Sequence, residues 1–290
     1  MKNDLVSAVI PAYNHERYVQ QSIESVMAQT HRNLELVIFN DGSTDRTDEK
    51  VRELLDPCQR RFVRFEYIPK QNEGLATTLN RAIDWARGDY IYTIASDDVA
   101  EPDAIRTLYR FLSRHPKYAM AVGDNQLIDA TGQRCYWDSE RNNTGLDGAV
   151  FHTFVEFLQY TRPDFEFTSP EYGSYRTLMK GNYITNGKLF RRRALIEVGK
   201  YLPGIKLEDW YMNLQLSKKY KIKFINKVLL SYRWHDTNTI KNPDYHKGSV
   251  QRIFELEKEY HARWLREQER KAGRWFGLGR FIYKIRTERS

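Results

Sequence analysis

Two carboxylates stand side by side in "YIYTIASDDVAEP": Asp97 and Asp98 follow Tyr90 to Ile94, a β-branched and aromatic run of the kind that forms a buried strand. Adjacent carboxylates repel one another and lose hydration in such a place, so the pair calls for positive charge. A divalent cation supplies it, because carboxylate oxygens are hard ligands suited to Mg2+ or Mn2+, ions that also bind substrate phosphates. The plainer alternative is that these acids cap a helix beginning near Asp103. Two other polar places are the turn Asp41-Gly42, a plain turn in isolation, and the pair Glu208-Asp209, which suits the acidic first turn of a helix.

The elements that must position these residues follow from periodicity. Apolar runs predict strands at 6–10, 34–39, 63–68, 90–94 and 119–123. Val19, Ile23, Val26 and Met27 recur at helical spacing, and further helices are predicted from near Arg46, with Asp45 or Thr44 as cap, and over 74–87 and 103–115. Strands alternating with helices imply right-handed βαβ crossovers and an α/β fold with a largely parallel sheet. Such sheets bind ligands outside the carboxyl ends of their strands. Residues 12–14, 40–43 and 96–98 all lie at such ends, so they are expected to meet in space. Residues 134–186, rich in Tyr, Gly, Asn and Thr, read as loops and a binding surface rather than a continuous core. Helices at 192–198 and 209–219, strands at 222–225 and 229–234, and a helical remainder from 247 complete the pattern.

Composition narrows the class. The chain has 290 residues, 41% hydrophobic and 13% aromatic, enough for a sizeable core. No apolar run approaches the roughly 20 residues that cross a bilayer, and the run at 6–10 is too short for a signal peptide, so a cytosolic location is expected. Cys58 and Cys135 show no metal-type spacing. The first strand ends in Pro11-Ala12-Tyr13-Asn14 rather than G-x-G-x-x-G, and no G-x-x-x-x-G-K-[ST] occurs, which argues against dinucleotide dehydrogenases and P-loop enzymes.

Six pieces in order, "VIPAYN", "NDGSTD", "QNEGLATTLNRAI", "SDD", "LEDW" and "YRWHDTN", spanning residues 6–238, carry a resemblance. The chain resembles a family 2 glycosyltransferase of the inverting, GT-A fold kind found in bacterial cell-envelope polysaccharide synthesis. The resemblance implies transfer of a sugar from a nucleotide diphosphate donor, a UDP- or dTDP-sugar, to a hydroxyl of a glycan or lipid-linked acceptor. It implies that Pro11, Ala12, Tyr13, Asn14 and Asp41 hold base and ribose, with Asn72, Gly74, Ser96 and Asp97 also on the donor. Mn2+ or Mg2+ is expected on Asp98, Asp97 and His235, with Asp209 as general base. One departure is Ala95, where relatives often carry another acid, so the metal rests on Asp97, Asp98 and His235. Ala95 also lends weight to a rival from another class, a non-catalytic protein that holds a nucleotide sugar or glycan.

The resemblance divides the chain into a catalytic domain at 1–240, with a donor half at 1–98 and an acceptor half at 99–240, and an extension at 241–290. The net charge is +8, and the last fifty residues carry 13 Lys or Arg against 7 Asp or Glu. In 271–290 the cations interleave with Trp275, Phe276, Phe281 and Tyr283, so a helix there suits the surface of an anionic membrane at the inner face. Packing of these aromatics on protein, in this chain or in an oligomer, is the alternative. No nucleic-acid motif accompanies the tail, and no nucleic-acid partner is expected.

Overall fold

The computed structural model describes residues 4–164, 166–241 and 248–287, with side chains described as far as Lys271. The chain separates into two compact units, Met1–Lys241 and Asn242–Ser290. In chain order the first unit contains β1 (Val6–Ala12), α1 (Val19–Met27), β2 (Leu34–Asp41), α2 (Thr47–Arg52), α3 (Leu55–Arg61), β3 (Arg64–Lys70), α4 (Leu75–Trp85), β4 (Tyr90–Thr93) and β5 (Val99–Ala100). It continues through α5 (Ala104–Arg114), β6 (Tyr118–Ile128), β7 (Arg134–Trp137), β8 (Asn143–Thr144), α6 (Phe154–Thr161), α7 (Tyr175–Leu178), β9 (Lys188–Arg191), α8 (Arg192–Glu197), α9 (Glu208–Ser217) and β10 (Lys221–Arg233). The second unit is the helix α10 (Ser249–Thr287). Of the stretch 271–290 proposed for membrane contact, the side chains from Ala272 onward lie outside the described residues.

The strands order as β3-β2-β1-β4-β9-β6-β10-β5. The first four run parallel, as do β6 and β10, while β9 is antiparallel between β4 and β6 and β5 is antiparallel to β10. β1 and β2 are almost wholly buried along their length, which parallel strands covered on both faces require and which explains their near-continuous apolar runs. Their core joins Val6, Ala8 and Ile10 of β1 to Leu34, Leu36 and Ile38 of β2, under Val19, Ile23 and Val26 of α1. The antiparallel β9 is a consequence of position: it returns the chain into a gap between two strands that run the other way, so β4, β6 and β10 still end at one edge.

Two expectations are corrected. Strands 222–225 and 229–234 are one strand, β10, because irregularities between Ile225 and Leu230 absorb Asn226 and Lys227 without ending the pairing to β6. Residues 134–186 are not merely loops: β7 and β8 pair, and Cys135, Trp137 and Phe151 join Leu127, Tyr232 and Trp234 in a second buried cluster. Trp137 packs edge-on against Phe154, Phe157 and Trp234, the arrangement aromatic quadrupoles favour. Its strand has four residues, too short to show a period. Among the described residues, no helix is long and apolar enough to cross a membrane.

Candidate active site

The turns after β1, β2 and β3 interlock. Asn14, with φ of 53°, accepts the Thr44 N–H at 2.8 Å through its side chain and donates its own N–H to Ser43 Oγ at 2.9 Å. Gly42, at φ of 75°, sits so close to the next turn that a Cβ there would stand 2.7 Å from the Asn72 nitrogen. Only glycine accommodates both that backbone angle and that approach. Asp41 accepts the Glu73 N–H at 2.9 Å and is ion-paired to Lys70, a partner that no sequence motif indicates. Pro11, Ala12, Tyr13, Asn14, Asp41, Asn72 and Gly74 thus share one sheet edge, with the Tyr13 ring 48% exposed and free to meet a flat ligand.

Beyond β4 the acidic turn meets two imidazoles. Asp97 Oδ2 lies 3.1 Å from His235 Nε2 and 3.8 Å from His15 Nε2. One ligand atom from each of His15, Asp97 and His235 lies within 4.8 Å of the others. The remaining ring nitrogens face hydroxyls: Ser96 Oγ is 2.8 Å from His15 Nδ1, and Thr237 Oγ1 is 2.9 Å from His235 Nδ1. Burial pushes the Asp97 carboxyl upward, but the His235 hydrogen bond and the charges of His15 and His235 more than offset it, so Asp97 stays below the usual carboxylate range. Burial holds His15 below the usual imidazole value, against the pull of Asp97. A carboxylate oxygen beside two imidazole nitrogens is a donor set that fits a divalent metal.

Asp98, expected among the metal ligands, stands apart from that cluster. It is wholly buried; one oxygen accepts the Arg233 N–H at 3.0 Å and the other the Asn186 amide at 3.3 Å. Burial and the Asp97 charge raise its carboxyl well above the usual value. Arg233, also buried, donates Nε to the Asp97 carbonyl at 2.7 Å and an Nη to the Asp129 carbonyl at 3.1 Å, fastening β10 to the acidic turn. Asp98 therefore clamps two strand ends together, while Asp97 turns an oxygen toward the two imidazoles.

Asp209 faces the same region from α9. Its helix begins after Leu207, a non-glycine residue at φ of 64°, a conformation that costs about 1 kcal/mol and is held here by the fold. Asp209 Oδ2 receives the Asn182 amide at 3.0 Å and Lys188 Nζ at 3.1 Å, and Oδ1 receives the Trp210 N–H at 2.7 Å. Its side chain remains 31% exposed. Burial acts to raise its carboxyl, but the Lys188 charge, the Asn182 and Lys188 hydrogen bonds and the Trp210 N–H together lower it. The buried neighbour Glu208 is pushed up to about 7 by burial and by the Asp209 charge.

One segment, residues 182–188, connects the two acidic places. Asn182 and Lys188 bind Asp209, Asn186 binds Asp98, and Thr185 Oγ1 anchors the stretch to the Gly123 carbonyl at 2.6 Å. Asn186 and Lys188 are two residues apart, so Asp98 and Asp209 are joined across no more than about 7 Å of backbone plus side chains. Asn182 and Asn186 belong to a stretch read from the sequence as binding surface; Lys188 and His15 carried no signal, and Arg233 lies in the "YRWHDTN" motif with no role assigned to it. In the basic run Arg191 to Arg193, Arg191 and Arg192 donate to the Tyr118 and Ile83 carbonyls, and Arg193 pairs with Glu197. A cavity of about 620 Å³, within the size range of small-molecule sites, is lined by Arg141, Asn143, Trp234, His235 and Lys241 among others.

Comparison with known proteins gives the family and the fold. The model of the family described as glycosyl transferase family 2 matches residues 7–199. The chain is 28% identical over 267 residues to glycosyltransferase GlyA of Streptococcus pneumoniae, covering 90% of this chain and 33% of that protein. It is 31% identical over 245 residues to chondroitin synthase of Pasteurella multocida, covering 84% of this chain and 22% of that one. The chain thus spans a third or less of either relative. Among solved structures it resembles Staphylococcus aureus TarS 1–349 in complex with UDP-GlcNAc, with a TM-score of 0.62 at 17% identity over 89% of this chain and 66% of that one. Mannosyltransferase PcManGT of Pyrobaculum calidifontis, in complex with GDP-Man and Mn2+, gives a TM-score of 0.61 at 14% identity over 86% of this chain and 69% of that one.

Proposed function

The chain belongs to glycosyl transferase family 2 and has the GT-A fold, and from that premise we propose that it moves a sugar from a nucleoside diphosphate donor to an acceptor hydroxyl with inversion at the anomeric carbon. The donor is a UDP- or dTDP-sugar, and the acceptor a glycan or lipid-linked saccharide of a cell-surface polysaccharide. The observation that supports the proposal is that residues 182–188 bind both the acidic turn, through Asn186 and Asp98, and the partly exposed Asp209, through Asn182 and Lys188.

The edge built from Pro11, Ala12, Tyr13, Asn14, Asp41, Asn72 and Gly74 takes the nucleotide. Asp97 and His235 hold a divalent cation, Mn2+ or Mg2+, which when bound stabilises the growing negative charge of the leaving diphosphate. Asp209 takes the proton of the acceptor hydroxyl during attack. Asn182 and Lys188 fix its carboxylate, and the Lys188 charge keeps it ionised. A single displacement needs no enzyme nucleophile. The cavity beside His235 gives room for part of a bound ligand.

Lys188 makes this testable by pH. Replacing it with Met removes the positive charge that lowers the Asp209 carboxyl, so Asp209 takes up its proton at higher pH, and the acid limb of the kcat/KM profile is expected to move upward. An acid limb at its original position in Lys188→Met would mean that Asp209 is not the group titrating there. The transfer itself is tested by release of nucleoside diphosphate from UDP-, dTDP- and GDP-sugars with and without Mn2+. Metal-stimulated release from at least one donor is expected. Measurable donor binding with no release from any of them would instead favour a non-catalytic binding protein.

A further inference from the structure

His15 stands outside every motif that marks the donor or acceptor site, yet it is held as firmly as they are. Its backbone N–H donates to Thr47 Oγ1 at 2.9 Å, its carbonyl accepts the Tyr18 and Val19 N–H groups opening α1, and its Nδ1 lies 2.8 Å from Ser96 Oγ. Those contacts leave Nε2 aimed at the oxygen that His235 approaches. Among the described residues Nε2 has no partner at hydrogen-bond distance; Asp97 Oδ2, at 3.8 Å, is too far for one. That orientation, on a side chain 22% exposed, leaves Nε2 open to a ligand.

We propose that His15 is the third protein ligand of the divalent cation, completing a set of two imidazoles and one carboxylate. This rests on the metal reading given above for Asp97 and His235. Bonds of about 2.1 Å place neighbouring ligand atoms roughly 3.0 Å apart in an octahedral shell and roughly 3.4 Å apart in a tetrahedral one. The observed separations from Asp97 Oδ2, 3.1 Å to His235 and 3.8 Å to His15, lie within a few tenths of an ångström of those values. Both rings also show the arrangement expected of metal-binding histidines, in which the nitrogen not offered to the metal is held by a second group that fixes tautomer and plane. Here the hydroxyls of Ser96 and Thr237 do so.

The ligand set decides the ion. Two imidazoles suit first-row transition ions better than Mg2+, whose affinity rests on oxygen ligands and retained water, and among divalent ions affinity rises from Mn2+ to Co2+. The site is therefore selective for Mn2+ and Co2+ over Mg2+, with donor oxygens and water filling the other positions.

The test is binding of the metal alone to the full chain, with no nucleotide or acceptor present, so it is independent of whether sugar is transferred. Calorimetric titration is expected to give at least about tenfold tighter binding of Co2+ than of Mg2+. His15→Ala is expected to weaken Co2+ by roughly 10- to 100-fold. Pulsed EPR of the Mn2+-loaded wild type should count two coordinated nitrogens, and one in His15→Ala. A single nitrogen in the wild type overturns the proposal even if the variant fails to fold, as does unchanged Co2+ affinity in a folded His15→Ala protein. Transfer failing while two nitrogens remain would remove the enzymatic reading and leave this one standing.

Discussion

Replacing Asp209 with Asn is expected to lower kcat by roughly 10²- to 10⁴-fold, the contribution of a positioned general base, while donor affinity stays within about twofold. Asparagine has the shape of the aspartate and can still accept the Lys188 and Asn182 hydrogen bonds, so the surrounding segment keeps its place. What it cannot do is take a proton. The change removes the base along with the acceptor for the Trp210 N–H and the charge facing Lys188, and steady-state kinetics beside nucleotide titration reads it. Turnover near that of the wild type would remove Asp209 from the mechanism. A parallel loss of donor affinity would instead show that the residue shapes the donor pocket.

The second large effect distinguishes the adjacent acids. Asp97→Asn is expected to abolish measurable Mn2+ binding and to lower kcat/KM by about 10³-fold, the scale of several kcal/mol of leaving-group stabilisation. Asp98→Asn is expected to leave Mn2+ affinity within about threefold. The difference follows from where the oxygens go: Asp97 offers its oxygen to two imidazoles, whereas both oxygens of Asp98 are taken by Arg233 and Asn186 inside the protein. The cost of Asp98→Asn falls on stability, because an amide NH2 placed against the Arg233 or Asn186 donors leaves a buried group unpaired, at about 1–3 kcal/mol. Mn2+ titration with thermal melts of both variants checks the pair. Equal loss of metal in both would restore Asp98 to the ligand set.

By itself the sequence determined the donor half of the fold. The runs in β1, β2 and β4 are apolar because both sheet faces are covered, and α1 and α4 show their buried stripes, so elements and order follow from local period. Parallel order then sends the turns holding Asn14, Asp41 and Asp97 to one edge, since every strand of such a sheet ends on the same side.

The tertiary structure alone decided which acid faces outward and what surrounds it. His235 meets Asp97 across 138 residues, Asn186 meets Asp98 across 88, and His15 meets Ser96 across 81. No local period or turn chemistry encodes partners so far apart. They come together because β9 enters antiparallel between β4 and β6, carrying residues 182–188 to the site, and because β10 ends beside the acidic turn with Arg233 fastened to it. Side-chain identity sets what each group can do; long-range strand pairing sets whom it meets.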